Sequence, residues 1–312
     1  MELNRLVSTN RLSHEEWLAY RKMGIGGSDA GAICGLNQYR SPISVYLDKT
    51  AGNVEEQEDN EAMRQGRDLE QYVAERFSEE TGKKVRKANA IFYLPEAPYM
   101  IANVDRLVVG ENAGLECKTA SAYSAEKWQG EKIPPEYEIQ CHHYMAVTGA
   151  SAWYIACVIL GREFIWRKID RDPDVIEMLK QIEEEFWIEN VQKGKMPDPD
   201  GSDAADNAIR EKYPESDEKS ILLTGFDADL ERRRDILELQ DKLEREKKEI
   251  EQKIKLYMED AEKAESDHYT VTWKNISSNR VDSKKLKEKH PDIYQECLKS
   301  SVSRRFEIKE IK

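Results

Sequence analysis

Three observations predict an α/β core with a C-terminal appendage for this 312-residue chain. Segments with helical and strand periodicity alternate up to residue 191, in the order α-β-β-β-α-β. A stretch rich in Pro, Asp, Gly and Ala follows over residues 193–218. Beyond it lies a long charged segment with a seven-residue apolar repeat. Taken in order, residues 13–22 begin with Ser13 and place Glu16 three positions later, the signature of a capping box. The Gly-rich residues 24–29 interrupt that helix, and an Ala/Gly-rich segment resumes to Gly35. Ser41-Pro42 opens another short helix. A longer one is expected over residues 59–81, with Leu69, Val73 and Phe77 on one face and Gly82 ending it. Strands run from there through Thr119, with Pro95 and Pro98 marking a turn. A helix over 137–147 then leads to strands at 152–160 and 164–169. The core closes with a helix over 175–191 whose apolar positions include Ile176, Leu179, Ile182 and Phe186.

These elements divide the chain into a core (residues 1–200), a linker (201–218) and an appendage (219–312). The appendage is expected to start with a helix over 227–265. Ile236, Leu243, Ile250 and Tyr257 recur along it every seven residues, with Ile254 and Ala261 between, while Gln240 and Lys247 weaken the seam. Such a seam suits a partner helix or this chain's own surface, and we expect the latter. A strand over 269–273, a helix from about Asp282 and a final strand over 305–308 complete a small α/β unit.

Composition narrows the function classes. No run of about 18 apolar residues occurs, and the first residues lack an apolar signal core, so a cytoplasmic protein is expected. The cysteines at 34, 117, 141, 157 and 297 form no CxxC pair and are odd in number, which fits reduced thiols. The net charge of −13 argues against tight, sequence-specific nucleic-acid binding. It does not exclude catalysis on DNA. Residues 1–200 hold 24 Lys+Arg against 34 Asp+Glu, with much of the excess in the run 55–61. Metal-dependent nucleases need carboxylates, and an enzyme that moves along DNA should not grip phosphates too tightly.

Candidate chemistry centres on residues 99–119. A β-like run over 99–109 carries Asp105, a Gly-rich turn follows, and a second run over 115–119 carries Glu116 and Lys118. Strand side chains alternate faces, so Glu116 and Lys118 project from the same side. If the two runs form a hairpin, Asp105 aligns beside them. Two carboxylates and an ammonium on one face suit a hard divalent cation and an activated water. Charged residues alternate on many solvated strands, so the triplet alone is a weak signal.

The Asp…Glu-x-Lys arrangement resembles the PD-(D/E)xK nuclease superfamily, and four further segments extend the likeness in chain order over residues 14–192. Trp17 to Arg21 followed by Gly24-Ile-Gly-Gly-Ser28 resembles the arginine–serine motif of lambda-exonuclease-like enzymes. Gly66-Arg-Asp-Leu-Glu70 resembles their helical G-x-x-x-E. Tyr137-Glu-Ile-Gln140 and the strand at Ala152-Trp153-Tyr154 resemble the Y-x-x-Q helix and its following strand. The chain thus resembles a YqaJ-type viral recombinase. That resemblance implies a PD-(D/E)xK core, a central mixed sheet flanked by helices. It also implies Asp105, Glu116 and the Cys117 carbonyl as ligands of two Mg²⁺ ions, with Mn²⁺ able to substitute and Glu70 approaching from its helix. Lys118 would orient the attacking water, and Gln140 would hold Lys118 or that water. Arg21 and Ser28 would take a 5′-terminal phosphate, through the arginine fork and the backbone N–H groups of the Gly-rich turn. The pair Gly26-Gly27 departs from the family pattern and is expected to loosen that turn.

The implied activity is 5′→3′ exonuclease digestion of linear double-stranded DNA, leaving 3′ tails for phage recombination. Ring trimers and a single-strand-annealing partner are implied with it. No GxxxxGK[ST] motif is present, so ATP is not expected to be used. An endonuclease of the restriction or junction-resolving type would share Asp105, Glu116 and Lys118 without needing the phosphate pocket. A nuclease with an iron–sulfur cluster is disfavoured, because only Cys297 lies near the C-terminus. A non-catalytic scaffold built on the long helix is opposed by the intact acidic pair and lysine. Cys141-His142-His143 reads as helix core or surface and not as a metal site, since adjacent helical residues point in different directions. Cys117 should face the core side of its strand, and Trp153 and Tyr154 should be packing residues.

Overall fold

Capping residues fix where the first helices of the chain begin. This computed structural model describes residues 3–52, 60–217, 219–300 and 303–310, in two compact units, Met1–Tyr213 and Pro214–Lys312. In the first, strand β1 (Arg5–Ser8) precedes helix α1 (His14–Lys22). The Ser13 hydroxyl accepts from the Glu16 N–H (3.1 Å) and the Glu16 carboxylate from the Ser13 N–H (2.8 Å), so the expected capping box forms. Helix α2 (Gly27–Ile33) and helix α3 (Pro42–Thr50) follow, the latter capped by Ser41. Helix α4 (Glu61–Thr81) starts at Asn60, whose side chain accepts from the Met63 N–H, and ends at Gly82 with φ 70°. Its expected first residue, Asp59, and residues 55–59 of the acidic run lie outside the described residues.

Strands β2 (Val85–Lys87), β3 (Ala90–Leu94), β4 (Ala97–Asn103), β5 (Arg106–Val108) and β6 (Ala113–Ala120) come next. A 3₁₀ helix (Ala122–Trp128), helix α5 (Pro135–Thr148), strands β7 (Ala152–Ile159) and β8 (Glu163–Asp170), and helix α6 (Pro173–Glu185) continue the unit. The last runs on as a π-helical turn, Phe186–Gln192. The central sheet has five strands in the order β2-β5-β6-β7-β8. It is mixed, because β6 and β7 are parallel and the other pairs antiparallel. A second sheet, β1-β3-β4, is antiparallel, and Ile25 bridges in parallel to Met100 at its edge. Gly24 permits that bridge: a Cβ there would run into the Tyr99 carbonyl.

The expected single run over 99–109 is thus two strands in two sheets. β4 pairs with β3 and β5 with β6, so the chain must break between them, and Val104-Asp105 is the break. Strand alternation then sorts the core. Trp153, Ile155 and Cys157 pack with Met100, Tyr144 and Met145 on the α5 side of the sheet. Leu115, Tyr154 and Ala156 pack with Val73 and Phe77 of α4 on the other. Each large side chain buried this way contributes about 1.5–3 kcal/mol. Leu115 and Cys117 face α4, which leaves Glu116 and Lys118 to face α5.

The segment read as a linker over 201–218 contains helix α7 (Asp203–Lys212). Ser202 caps it, and Ala204, Ala205 and Ala208 are buried, two of them with Ile43 of α3. Small side chains let the two helices approach closely, so alanines that looked like linker composition are contact residues. In the second unit, helix α8 (Asp227–Met258) stops short of the expected residue 265, because Glu259 turns to φ 48°. Strand β9 (Lys263–Glu265) then pairs antiparallel with strand β10 (Thr270–Thr272). Asp282 caps helix α9 (Ser283–Lys289), and helix α10 (Pro291–Glu296) follows. Residues 305–308 form no strand; they have no pairing neighbour among the described residues. The seam residues Ile236, Leu243, Ile250 and Tyr257 are 41–89% exposed. Within its own unit the seam is left uncovered by the described residues, and Met258 is the buried residue of α8. Among the described residues no helix is long and apolar enough to cross a membrane.

Candidate active site

The β5–β6 register creates the acidic pair. Arg106 pairs with Leu115, and extending that register by one residue sets Asp105 across from Glu116. Residues directly opposed in an antiparallel pair share a face. The Asp105 carboxylate also accepts the Cys117 N–H at 2.8 Å, which fixes its position. Glu116 is 3% exposed. Its Oε1 accepts from the Lys118 ammonium (2.7 Å) and from the Gln140 amide (2.6 Å). The Gln140 carbonyl oxygen in turn accepts from Lys118 (3.0 Å), closing a three-membered network. A second donor of the Gln140 amide reaches the Tyr144 hydroxyl at 2.8 Å. Lys118 also lies 4.4 Å from the centre of the Tyr137 ring, a cation–π contact.

The electrostatics of this cluster favour a cation. Burial, then Glu116 and Glu70, push the Asp105 carboxyl well above the usual carboxylate range. Burial alone would lower the Lys118 ammonium, but Glu116, Tyr137 and Asp105 together outweigh it and the pKa rises. The second oxygen of Glu116 is buried with no hydrogen-bond partner among the described residues. A divalent cation would give that oxygen a partner and relieve the crowding of carboxylates. Among the described residues, though, no three His, Cys, Asp or Glu side chains converge in a metal-holding group. Glu70 lies near enough to act on Asp105, but its carboxylate pairs with the Arg106 guanidinium. Arg106 donates as well to the Asp105 carbonyl (2.9 Å) and to Gln71 (3.0 Å).

The N-terminal motif forms a second cluster. Arg21 reaches across from α1, donating to the Ser28 hydroxyl at 2.9 Å, and its guanidinium lies 5.0 Å from the Trp17 ring centre. Of the pair expected to loosen this turn, Gly27 is tightly packed and Gly26 has ordinary room. A Cβ on Gly27 would stand 2.6 Å from the Tyr144 ring and 2.9 Å from Gln140 Cγ, so this glycine is where α2 meets α5. Nor is the Gly26 N–H free for a phosphate, because it donates to the Asp29 carboxylate at 3.0 Å. Asp29 itself is fully buried and ion-paired to Arg40 (2.5 Å) and Lys49 (2.8 Å). Burial would raise its pKa; Lys49, Arg40 and Arg21 together drive it far down.

With this geometry in hand, comparison with known proteins identifies the family. The chain is 42% identical to the "Uncharacterized protein YqaJ" of Bacillus subtilis (strain 168) over 312 residues, covering 98% of this chain and 97% of that protein. It belongs to the YqaJ family of viral recombinases. The YqaJ-like viral recombinase domain matches residues 16–151, which span both clusters up to the start of β7. Among solved structures, LHK-Exo in complex with dAMP superposes with a TM-score of 0.51 at 21% identity, covering 64% of this chain and 97% of that one. The structure of LHK-Exo, described as an alkaline exonuclease from Laribacter hongkongensis, gives 0.49 with the same identity and coverage. The fold of this YqaJ family member, a five-stranded mixed sheet flanked by helices, is thus shared with LHK-Exo.

The structure brings Asp105, Glu116, Lys118 and Gln140 together and joins Arg21 to Ser28. It holds Glu70 beside them on Arg106, and Cys117 supplies its backbone to the site while its thiol faces the α4 side. Two contributors, Arg106 and Tyr144, escaped the sequence, and Tyr137 entered only as the first position of the Y-x-x-Q motif. Arg106 could have been suspected as a charge in an otherwise apolar strand. Tyr137 and Tyr144 lie three residues before and four after Gln140, a spacing that puts all three on one helix face. The Cys141-His142-His143 triplet is core, as expected. All three are buried, and His143 joins Glu183 of α6 (2.8 Å) to the Ile101 carbonyl (2.8 Å). Trp153 and Tyr154 are buried packing residues too.

Proposed function

We propose that this YqaJ family member is a Mg²⁺-dependent, ATP-independent exonuclease that digests linear double-stranded DNA 5′→3′ and leaves 3′ single-stranded tails. The observation that carries the reading is Asp105 opposite Glu116, with Lys118 locked between Glu116 and Gln140. Family membership and a fold shared with an alkaline exonuclease support it. Asp105, Glu116 and the Cys117 carbonyl would hold the metal, with Glu70 assisting from α4. Bound Mg²⁺, as one or two ions, supplies charge neutralisation at the scissile phosphate and a more acidic water. Lys118 orients that water, and Gln140 keeps the ammonium directed at it. Arg21 takes the terminal 5′-phosphate through its planar fork of donors, with Ser28 beside it. We further propose action in the cytoplasm of a bacterial or phage-infected cell, as a ring-shaped homo-oligomer. The appendage then docks a single-strand-annealing protein.

The deciding experiment compares linear and covalently closed duplex DNA, each with Mg²⁺ and with EDTA. Only linear DNA with Mg²⁺ should be degraded, and a 5′ label should be released before a 3′ label. Cleavage of the closed circle would move the reading to an endonuclease. Loss of the 3′ label first would reverse the polarity.

A further inference from the structure

One exposed aromatic side chain makes no hydrogen bond or ring contact among the described residues. Tyr39, in the loop between α2 and α3, is 78% exposed, yet its backbone is fixed on both sides. The Asn37 carboxamide oxygen accepts from the N–H of Tyr39 (2.8 Å) and of Arg40 (3.2 Å). Arg40 is ion-paired to the buried Asp29, the neighbour of Ser28. Gln38 accepts from Lys127 at 3.3 Å, tying the same loop to the 3₁₀ helix after β6. Burial raises the pKa of the Tyr137 phenol, and Tyr39 lies near enough to add to that rise. Tyr137 is the ring under Lys118. The loop that carries the Tyr39 ring is thus tied on one side to Asp29, the neighbour of Ser28, and on the other to the 3₁₀ helix after β6, and it is held in place without using the ring.

A rigid backbone presenting a bare aromatic face beside a phosphate-binding cluster is what base stacking requires. Nucleobases stack on tyrosine whatever their identity, because each has a π-face. We propose that Tyr39 is a stacking platform for the nucleobase next to the bound 5′-phosphate, holding the terminal nucleotide in place while its phosphodiester is presented to Lys118. Tyr39 then sets end binding, not bond cleavage, and it takes any of the four bases. This rests on the nuclease reading above.

The test uses the full-length protein and a 5′-phosphorylated linear duplex carrying 2-aminopurine as its terminal base. Binding is measured in Ca²⁺ and cleavage in Mg²⁺. Wild type and Tyr39→Phe should quench the fluorescence on binding. Tyr39→Ala should lose the quench and raise KM about 5- to 150-fold, the span of one aromatic–base stack, with kcat changed far less. Equal quench and equal KM in wild type and Tyr39→Ala would overturn the platform while leaving the nuclease standing. A Tyr39→Phe variant as impaired as Tyr39→Ala would overturn stacking in favour of a hydroxyl contact. Wild type that cleaves no linear DNA in Mg²⁺ would remove the nuclease reading, and the platform with it.

Discussion

Adding one methyl group at Gly27 should damage the site without removing any of its side chains. The new Cβ would stand 2.6 Å and 2.9 Å from Tyr144 ring atoms and 2.9 Å from Gln140 Cγ. Comfortable carbon–carbon separations are about 3.5–4.0 Å, so α2 and α5 must part by roughly 1 Å. Overpacking of this kind costs about 1–3 kcal/mol. Because Gly27 opens its helix, little of the propensity gain of Ala over Gly is recovered there. For a unit of this size each kcal/mol lowers Tm by about 2–4 °C, so a drop of roughly 2–12 °C is expected. Catalysis should fall further than stability, by about tenfold or more, since Gln140 and Tyr144 move together and Gln140 fixes Lys118. Gly66→Ala is the control: its Cβ would meet only Thr119 Oγ1 at 3.8 Å, inside a helix, so stability should rise by up to about 1 kcal/mol. Both variants would be followed by thermal melts and by Mg²⁺-dependent release of label from linear DNA. A Gly27→Ala protein with unchanged Tm and full activity would refute the claim that α2 and α5 are in register at this contact.

Asp105→Asn and Glu116→Ala should each abolish cleavage, checked by the same label-release assay. In EDTA, the raised Asp105 pKa means that the folded state holds a proton the unfolded state has already lost above about pH 4. Wild-type Tm should therefore decline as pH rises from there through the folded pKa, and Asp105→Asn should flatten that decline in melts across pH. Arg21→Ala should narrow the rate advantage of 5′-phosphorylated over 5′-hydroxyl ends, a contact worth about ten- to a hundredfold; equal wild-type rates on both ends would remove the phosphate pocket. Truncation after Tyr213 should keep Mg²⁺-dependent cleavage, whereas truncation after Asp200 should lower Tm because it strips α7 from Ile43. Co-purification of the longer truncation with an annealing protein should fail if the appendage is the dock.

Much of the core was legible because its signals are local. Ser13/Glu16, Ser41-Pro42 and Gly82 mark helix ends through hydrogen bonds made within a few residues, and these ends fall where expected. The Glu116–Lys118 spacing fixes a shared face for the same reason. What escaped depends on partners distant in sequence. Whether 99–109 is one strand or two is decided by β3 and β6, which no local pattern reports. Arg106 matters because α4 brings Glu70 to it from 36 residues away. Composition misled at α7, where alanine serves as a contact and not as a spacer. The tightness at Gly27 is a property of Tyr144, far along the chain.

The parallel pairing of β6 with β7 carries a consequence for how this site tolerates change. Parallel neighbours cannot be joined by a tight turn; the chain has to travel back along the sheet before the next strand can start. That return journey is α5, so the residue steadying Lys118 sits on the segment the topology demands anyway. Catalytic geometry and chain connectivity are in this sense one constraint. Insertions between the 3₁₀ helix and Pro135 should be absorbed so long as α5 lands at the same height, while shifting its landing by a single residue would rotate Gln140 about 100° away from Glu116. Sequence drift in the loop is thereby cheap, and drift in the helix phase is not.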